Sequence, residues 1–326
     1  MSLNEKIKEV LQSEKTLTAK KKDLIDLGLK SYDIENLFRL YEVAGDTLFT
    51  LGIEIECFNV DRDAFIAAAR SKGVKVVSES YNHTARNYYK VVRDSSIQGS
   101  SSVECVSPVL KGKAGMKSLK VICDSLNIAG ARVNRSCGLH VHVGLQNISF
   151  EQYKNLFFNY IKLEGVIDSF LAYSRRDNNN GFCMSNKGRL IEIDCSTNMQ
   201  KIAEAYNSCR YYKLNPVSYS RHNTIEFRQH QGTTDYNKIE KWVSFICKLV
   251  EFSKNNRLTE SVMNISDIPF LNEEQKTYFV QRALELSSPL AETNENNAQS
   301  ASASVNEAGV LRRQRRSRAA RNYSNV

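Results

Sequence analysis

Nowhere in these 326 residues is there an apolar run long enough to cross a bilayer. The opening stretch MSLNEKIKEVLQSEKTLTAKKK is charged where a secretory leader would be apolar. Both absences lead to the expectation of a cytoplasmic protein with no membrane partner. No CxxC pair occurs: the eight cysteines (Cys57, Cys105, Cys123, Cys137, Cys183, Cys195, Cys209, Cys247) are scattered, several within apolar runs where a thiol acts as a small hydrophobe. That argues for a reducing compartment and against a disulfide framework or structural zinc. A phosphate-binding GxxxxGKS or GxxxxGKT loop is missing too, which excludes the P-loop way of holding a nucleotide. No repeat of fixed period appears. Histidine is scarce, five in all, yet two of the five stand one residue apart in CGLHVHVG, residues 137–144.

Positive charge is in excess, formally +9, and its distribution matters more than its size. Residues 288–326 form a polar and then arginine-rich tail: the first part has too few large hydrophobes to offset the entropy of ordering, and six arginines crowd into the last sixteen residues, LRRQRRSRAARNYSNV. Such a tail makes a weak contact with nucleic acid or an acidic surface, or serves only solubility or processing. At the other end, residues 1–46 read as a helical segment. Ile7, Val10 and Leu11 share a face, and KKKDLIDLGLKSYDIENLFRLYEV breaks at Gly28 before a second apolar-periodic run opened by Ser31. A cap, an oligomerisation arm and a helix-turn-helix all fit this outline.

Residues 47–256 alternate strands with helices. The pattern predicts strands at 48–58, 74–80, 87–94, 101–107, around the HVH run and at 223–230, with helices at 61–71, 113–129, 149–173, 198–208 and 236–254. The polar run RRDNNNGFC, residues 175–183, reads as a surface loop, with a lid as the alternative, and 257–287 as a helical extension. Because strands are often neighbours in sequence, the expected fold class is α+β, a mixed and mainly antiparallel curved sheet with helices against one face.

Successive side chains of a strand point to opposite faces. His140 and His142 therefore share one face while Leu139, Val141 and Val143 take the other. TLGIEIECF repeats the pattern, with Glu54 and Glu56 opposite Leu51, Ile53, Ile55 and Cys57. TIEFRQH sets Glu226, Arg228 and His230 against Ile225, Phe227 and Gln229, and SSVECVSP adds Glu104. Taken singly, each is an amphipathic strand with solvated charges. An ordinary solvent face mixes in Thr, Ser and Lys, however, and these carry glutamate, histidine and arginine almost exclusively. Four glutamates converging in one concavity repel one another unless cations sit among them. Carboxylate oxygens suit Mg²⁺ or Mn²⁺, and Arg228 offers fixed positive charge to an anionic substrate or transition state.

GIEIE, VECVSP, CGLHVHVG and TIEFRQHQGT, in that order and with CRYYKLN (Arg210, Tyr211, Asn215) before the last, resemble the phage and microbial amidoligase family. That family is a branch of the carboxylate-amine ligases with the glutamine synthetase and glutamate-cysteine ligase catalytic fold. The resemblance spans about residues 48–252. It implies an ATP- and Mg²⁺-dependent (or Mn²⁺-dependent) ligase that joins a carboxylate-bearing and an amine-bearing substrate, whether amino acid, peptide or protein side chain, through an acyl phosphate. By the same resemblance Glu54, His140 and Glu226 hold one divalent ion, and Glu56 and Glu104 hold a second with Asp94 as the supporting candidate. His142 contacts nucleotide phosphate with Arg210 or Arg221, Asn215 belongs to the nucleotide-binding set, and Arg228 is the transition-state arginine. Tyr88 or Tyr89 stands where the family often has tryptophan, which bears on a substrate-pocket contact. Two other readings stand beside this one. The first is an inactive ligase-fold binding protein acting through its helical front and basic tail. The second is a metal-dependent hydrolase, which His83, His222 and His230 supply poorly.

Overall fold

The computed structural model describes residues 2–13, 17–31, 34, 49–146 and 148–287. Alternation becomes strand where it was expected: β1 (Leu51–Cys57), β2 (Val76–Ser78), β3 (Tyr89–Val92), β4 (Val103–Val106), β5 (Gly138–Gly144) and β7 (Thr224–Gln231), with a two-residue β6 (Leu214–Asn215) that the pattern did not reveal. They form one seven-stranded sheet in the order β2-β3-β4-β1-β5-β7-β6. Every neighbouring pair is antiparallel except β2 and β3.

The helices are α1 (Leu3–Gln12), α2 (Leu17–Asp26), α3 (Arg62–Ser71), α4 (Gly112–Ile128), α5 (Phe150–Ser169), α6 (Leu190–Asp194), α7 (Met199–Ala205), α8 (Ser218–His222), α9 (Tyr236–Ser253) and α10 (Glu273–Glu285). Several of them start on side-chain caps that satisfy free N–H groups of the first turn. Asp61 caps α3, Asp235 caps α9, and Ser149 with Gln152 and Asn272 with Gln275 form reciprocal capping boxes on α5 and α10. Phe65, Leu119, Ile122, Phe157, Tyr160 and Trp242 from the helices join Ile53, Ile55, Leu139, Val141 and Phe227 from the strands in one core. Each such side chain contributes about 1.5–3 kcal/mol on burial, so the core fixes which face of each strand turns inward. The polar faces are left looking out on the other side.

Two departures have local causes. The expected 149–173 helix ends at Ser169, where Phe170 turns in against Phe279 and Phe245 (ring centroids 4.5 and 5.4 Å) and the Asp168 carboxylate accepts the Asp177 N–H at 3.0 Å. In β7, Leu139 pairs with His230 but Val141 with Phe227, so β7 carries one extra residue at a bulge. Cross-strand partners share a face. His230 is therefore turned to the core side, where its ring lies 5.5 Å from that of Trp242, and Gln231, opposite Gly138, is turned to the polar face. The expectation that His230 shares a face with Glu226 and Arg228 is corrected by this one insertion.

At the N-terminus, α2 ends where the Gly28 and Leu29 N–H groups reach back to Ile25 and Leu24, with Gly28 at φ +89°, a conformation glycine adopts without steric cost. Leu24 and Ile34 form a small separate cluster with Ile7, Val10, Leu27 and Leu29. Residues 35–43 of the second helical run and the 288–326 tail lie outside the described residues. Among the described residues no helix is long and apolar enough to cross a membrane, and all eight cysteines are free.

Candidate active site

Register builds the site. Glu54 stands opposite His140, Glu56 opposite Glu104, His142 opposite Glu226, and Glu226 opposite Asn215 on the next strand. Five strands, β1, β4, β5, β6 and β7, thus bring their polar side chains to one side of the sheet. There they line a cavity of about 1170 Å³ together with Asp94, Arg210, Arg221 and Arg228.

Glycines let the groups approach. A Cβ on Gly138 would lie 2.7 Å from His140 Nε2, and one on Gly52 would lie 3.3 Å from the His142 Cβ. Gly138 also donates its backbone N–H to Glu56 Oε2 at 2.6 Å. His140 Nδ1 lies 3.1 Å from Glu54 and 3.9 Å from Glu226, and its Nε2 lies 3.6 Å from Glu56. His142 Nε2 lies 3.5 Å from Glu54 and 4.0 Å from Glu226, while its Nδ1 meets the Thr224 hydroxyl at 3.0 Å. Asn215 and Arg228 each donate to Glu226 at 2.5 Å, and Arg228 Nε reaches the Phe182 carbonyl at 3.3 Å.

Among the described residues, three trios have ligand atoms within 4.8 Å of one another: Glu54, Glu104 and His140; Glu54, His142 and Glu226; and Glu56, Asp94 and Glu104. Hard, oxygen-rich donor sets with an imidazole fit Mg²⁺ or Mn²⁺ better than a soft metal. His142 stands among these donors too, somewhat farther out than His140, so the two imidazoles share the acidic cluster.

The cluster is electrically loaded. Burial raises the Glu104 carboxyl well above the ordinary range, and Glu54, Glu56 and Asp94 push it further. Burial also opposes ionisation of Glu54, but hydrogen bonds from His140 and His142 outweigh it and hold that carboxyl well below the usual range. Glu226 is lowered in the same sense, with the Arg228 charge overcoming desolvation. His142 is raised because Glu226 and Glu54 outweigh the burial of its ring. One cavity thus holds carboxylates whose proton affinities are pushed in opposite directions, Glu104 up and Glu54 and Glu226 down.

Arg210 lies over the Tyr211 ring at 5.2 Å, and Arg221 projects from α8 at the exposed margin of the same cavity. Tyr88 and Tyr89 stand apart from the lining: Tyr89 is buried with its hydroxyl on Ser118, and Tyr88 bonds to Glu79. Sequence reasoning missed Lys90 and the segment 79–85. Lys90 is buried and its Nζ donates to Asn82 and Thr84, fastening that segment beside the cavity. A lysine inside the apolar strand YKVV was the available clue. The 175–183 run is also less superficial than expected, since Arg175 and Cys183 are buried and Arg175 and Phe182 line the cavity.

Residues 48–250 match the family described as "Putative amidoligase enzyme". A search of curated proteins gives no significant match. Among solved structures, a bifunctional glutathione synthetase from Pasteurella multocida is similar at 13% identity and a TM-score of 0.38, over 86% of this chain and 51% of that one. The chain spans about half the length of that structure. The family match runs from β1 to α9 and takes in every acidic, imidazole and guanidinium group just described; this chain belongs to the amidoligase family.

Proposed function

We propose that the protein is an ATP- and Mg²⁺-dependent carboxylate-amine ligase that makes an amide through an acyl phosphate. A carboxylate oxygen of one substrate attacks the γ-phosphorus of ATP and ADP departs. The amine nitrogen of the second substrate then attacks the acyl carbon, phosphate leaves, and the nitrogen sheds a proton to give the amide. Glu54, Glu226 and His140 are the residues to hold one divalent cation, and Glu56, Glu104 and Asp94 the second. Bound there, the cations would neutralise phosphate charge. His142, Arg210 and Arg221 face the nucleotide phosphates. Asn215 keeps Glu226 oriented, and Arg228, fixed by Glu226 and the Phe182 carbonyl, offsets charge on the phosphoryl group in transfer.

One observation carries this reading: carboxylates from β1, β4 and β7 and the imidazoles of β5 meet in a single cavity beside Arg228. Membership of the amidoligase family supports it. The test is incubation of the full chain with Mg-ATP and pooled amino acids and peptides, following ADP and new amides by mass spectrometry for wild type and Glu54→Ala. ADP and amide are expected together and only with wild type. ADP release indifferent to Glu54→Ala would count against the site, and no ADP at all would favour a binding protein.

A further inference from the structure

Among the described residues, buried cations are generally well partnered. Lys213, with no exposure, donates to Glu164 at 3.0 Å and Asp168 at 2.6 Å. Arg228 is held by Glu226, and Lys90 gives three bonds to Asn82 and Thr84. Arg175 is the exception. It is 2% exposed, gives an Nη2 bond to the Cys137 carbonyl and also reaches the Cys183 thiol, but its Nε has no acceptor, and among the described residues no carboxylate pairs with it. No counter-ion faces this guanidinium, and its Nε is left for an acceptor that the protein does not supply.

A second orphan donor belongs to the same corner. Gln231 Nε2 is buried without an acceptor, while its Oε1 accepts the Ala172 N–H at 3.2 Å in the turn that leads into Arg175. The β7 bulge puts Gln231 on the polar face opposite Gly138. The Cys137 carbonyl that Arg175 binds also accepts the Gly232 N–H at 2.8 Å, so the start of β5, the end of β7 and the turn after α5 are tied together here. Arg175 lines the large cavity from this corner.

We propose that this corner is an oxyanion subsite, in which Arg175, assisted by the Gln231 amide, receives the unreacting carboxylate of the acyl substrate. This rests on the ligase reading and names the substrate class: a molecule with at least two carboxylates, one to be activated and one to be held. Position favours a carboxylate over a nucleotide phosphate. Arg221 precedes Thr224 at one end of β7 and Gln231 is at the other, seven residues on, which is about 23 Å of strand.

The test uses the full chain, glutarate as the carboxylate probe and Mg-ADP as the nucleotide probe, with affinities from calorimetry and melting temperatures from fluorimetry. Arg175→Met is expected to weaken glutarate about tenfold or more and Arg175→Lys to weaken it less, with Mg-ADP unchanged in both. Without any probe, Arg175→Met should melt no lower than wild type, because it removes an uncompensated buried charge. Gln231→Leu carries the same comparison if Arg175→Met does not fold, and Ile191→Ser, exposed and outside the cavity, is the control. Equal glutarate binding by wild type and Arg175→Met, no glutarate binding by wild type, or a large loss of melting temperature with both affinities intact would overturn the proposal. So would weakening confined to Mg-ADP, which would assign the corner to phosphate. In each of these cases the ligase reading still stands or falls on ADP and amide formation.

Discussion

Replacing Glu104 by Gln tests the loading of the acidic cluster. The ligand oxygens of Glu56, Asp94 and Glu104 lie within 4.8 Å of one another. Two unit charges at that separation repel by about 3 kcal/mol at an effective dielectric near 20, so one ionised Glu104 meets two such penalties when no cation is bound. The carboxyl responds by holding its proton well above the usual range, driven first by burial and then by Glu54, Glu56 and Asp94. The sign follows from a folded-state pKa raised above 4.5: the penalty is absent below that pH and grows as pH rises through the folded value. In EDTA, Glu104→Gln should therefore melt higher than wild type, by a margin that widens from about pH 5 to pH 8. Excess Mg²⁺ should reverse the order. A cation at a hundred times its Kd adds about 2.7 kcal/mol to wild type, or about 5–11 °C for a domain of this size, and the variant should gain less than half of that. Differential scanning fluorimetry with and without EDTA reads all of it. An equal Mg²⁺ shift in the two proteins, or a variant that melts lower in EDTA at pH 8, would refute the reasoning.

Gly138→Ala should fold normally by circular dichroism yet lose more than half of the Mg²⁺ stabilisation, because its Cβ would sit 2.7 Å from His140 Nε2 and 3.3 Å from Glu56; an undiminished shift would show that the close approach is unimportant. Lys213→Met strands Glu164 and Asp168 in the core without their cation and should cost about 3–5 kcal/mol in a denaturant titration, with a loss under about 1 kcal/mol as the contrary result. At pH 8, iodoacetamide should label Cys195 and Cys209 first. Burial lifts the thiols of Cys57, Cys105 and Cys123 and pushes Cys137 up to about 11, so modification of Cys105 as fast as that of Cys195, read by mass spectrometry, would contradict the packing.

Much of the site was legible because strand periodicity is a local property. In GLHVHVG and LGIEIEC the greasy residues at every second position leave no choice about which side is buried, and so Glu54, Glu56, His140 and His142 declare a common polar side without any tertiary information. Arg228 and Glu226 follow by the same rule. The rule failed two residues later, at His230, because a bulge is an event between strands: nothing in TIEFRQHQ marks the residue at which β5 stops matching it. Lys90 and Arg175 were hidden for a related reason. What makes them notable is burial and the identity of their neighbours, and those neighbours lie on other elements: Lys90 stands in register with Val106 and, through it, with Glu54, while Arg175 meets Cys137 across 38 positions of chain. The two-residue β6 and the single-turn α8 are too short to impose a period on their own side chains.

By itself the amino-acid order determined which segments alternate, which face of each must be dry, and which chemistry-bearing residues share the wet one, since these depend only on backbone geometry and the cost of leaving apolar side chains in water. The tertiary structure alone decided which strands are neighbours and in what register. That pairing sets the few ångströms between Glu54, His140 and Glu226, and it sets which buried cation is left without a counter-ion. Coulomb and hydrogen-bond energies change steeply over such distances, whereas the spacing of residues along the chain does not report them.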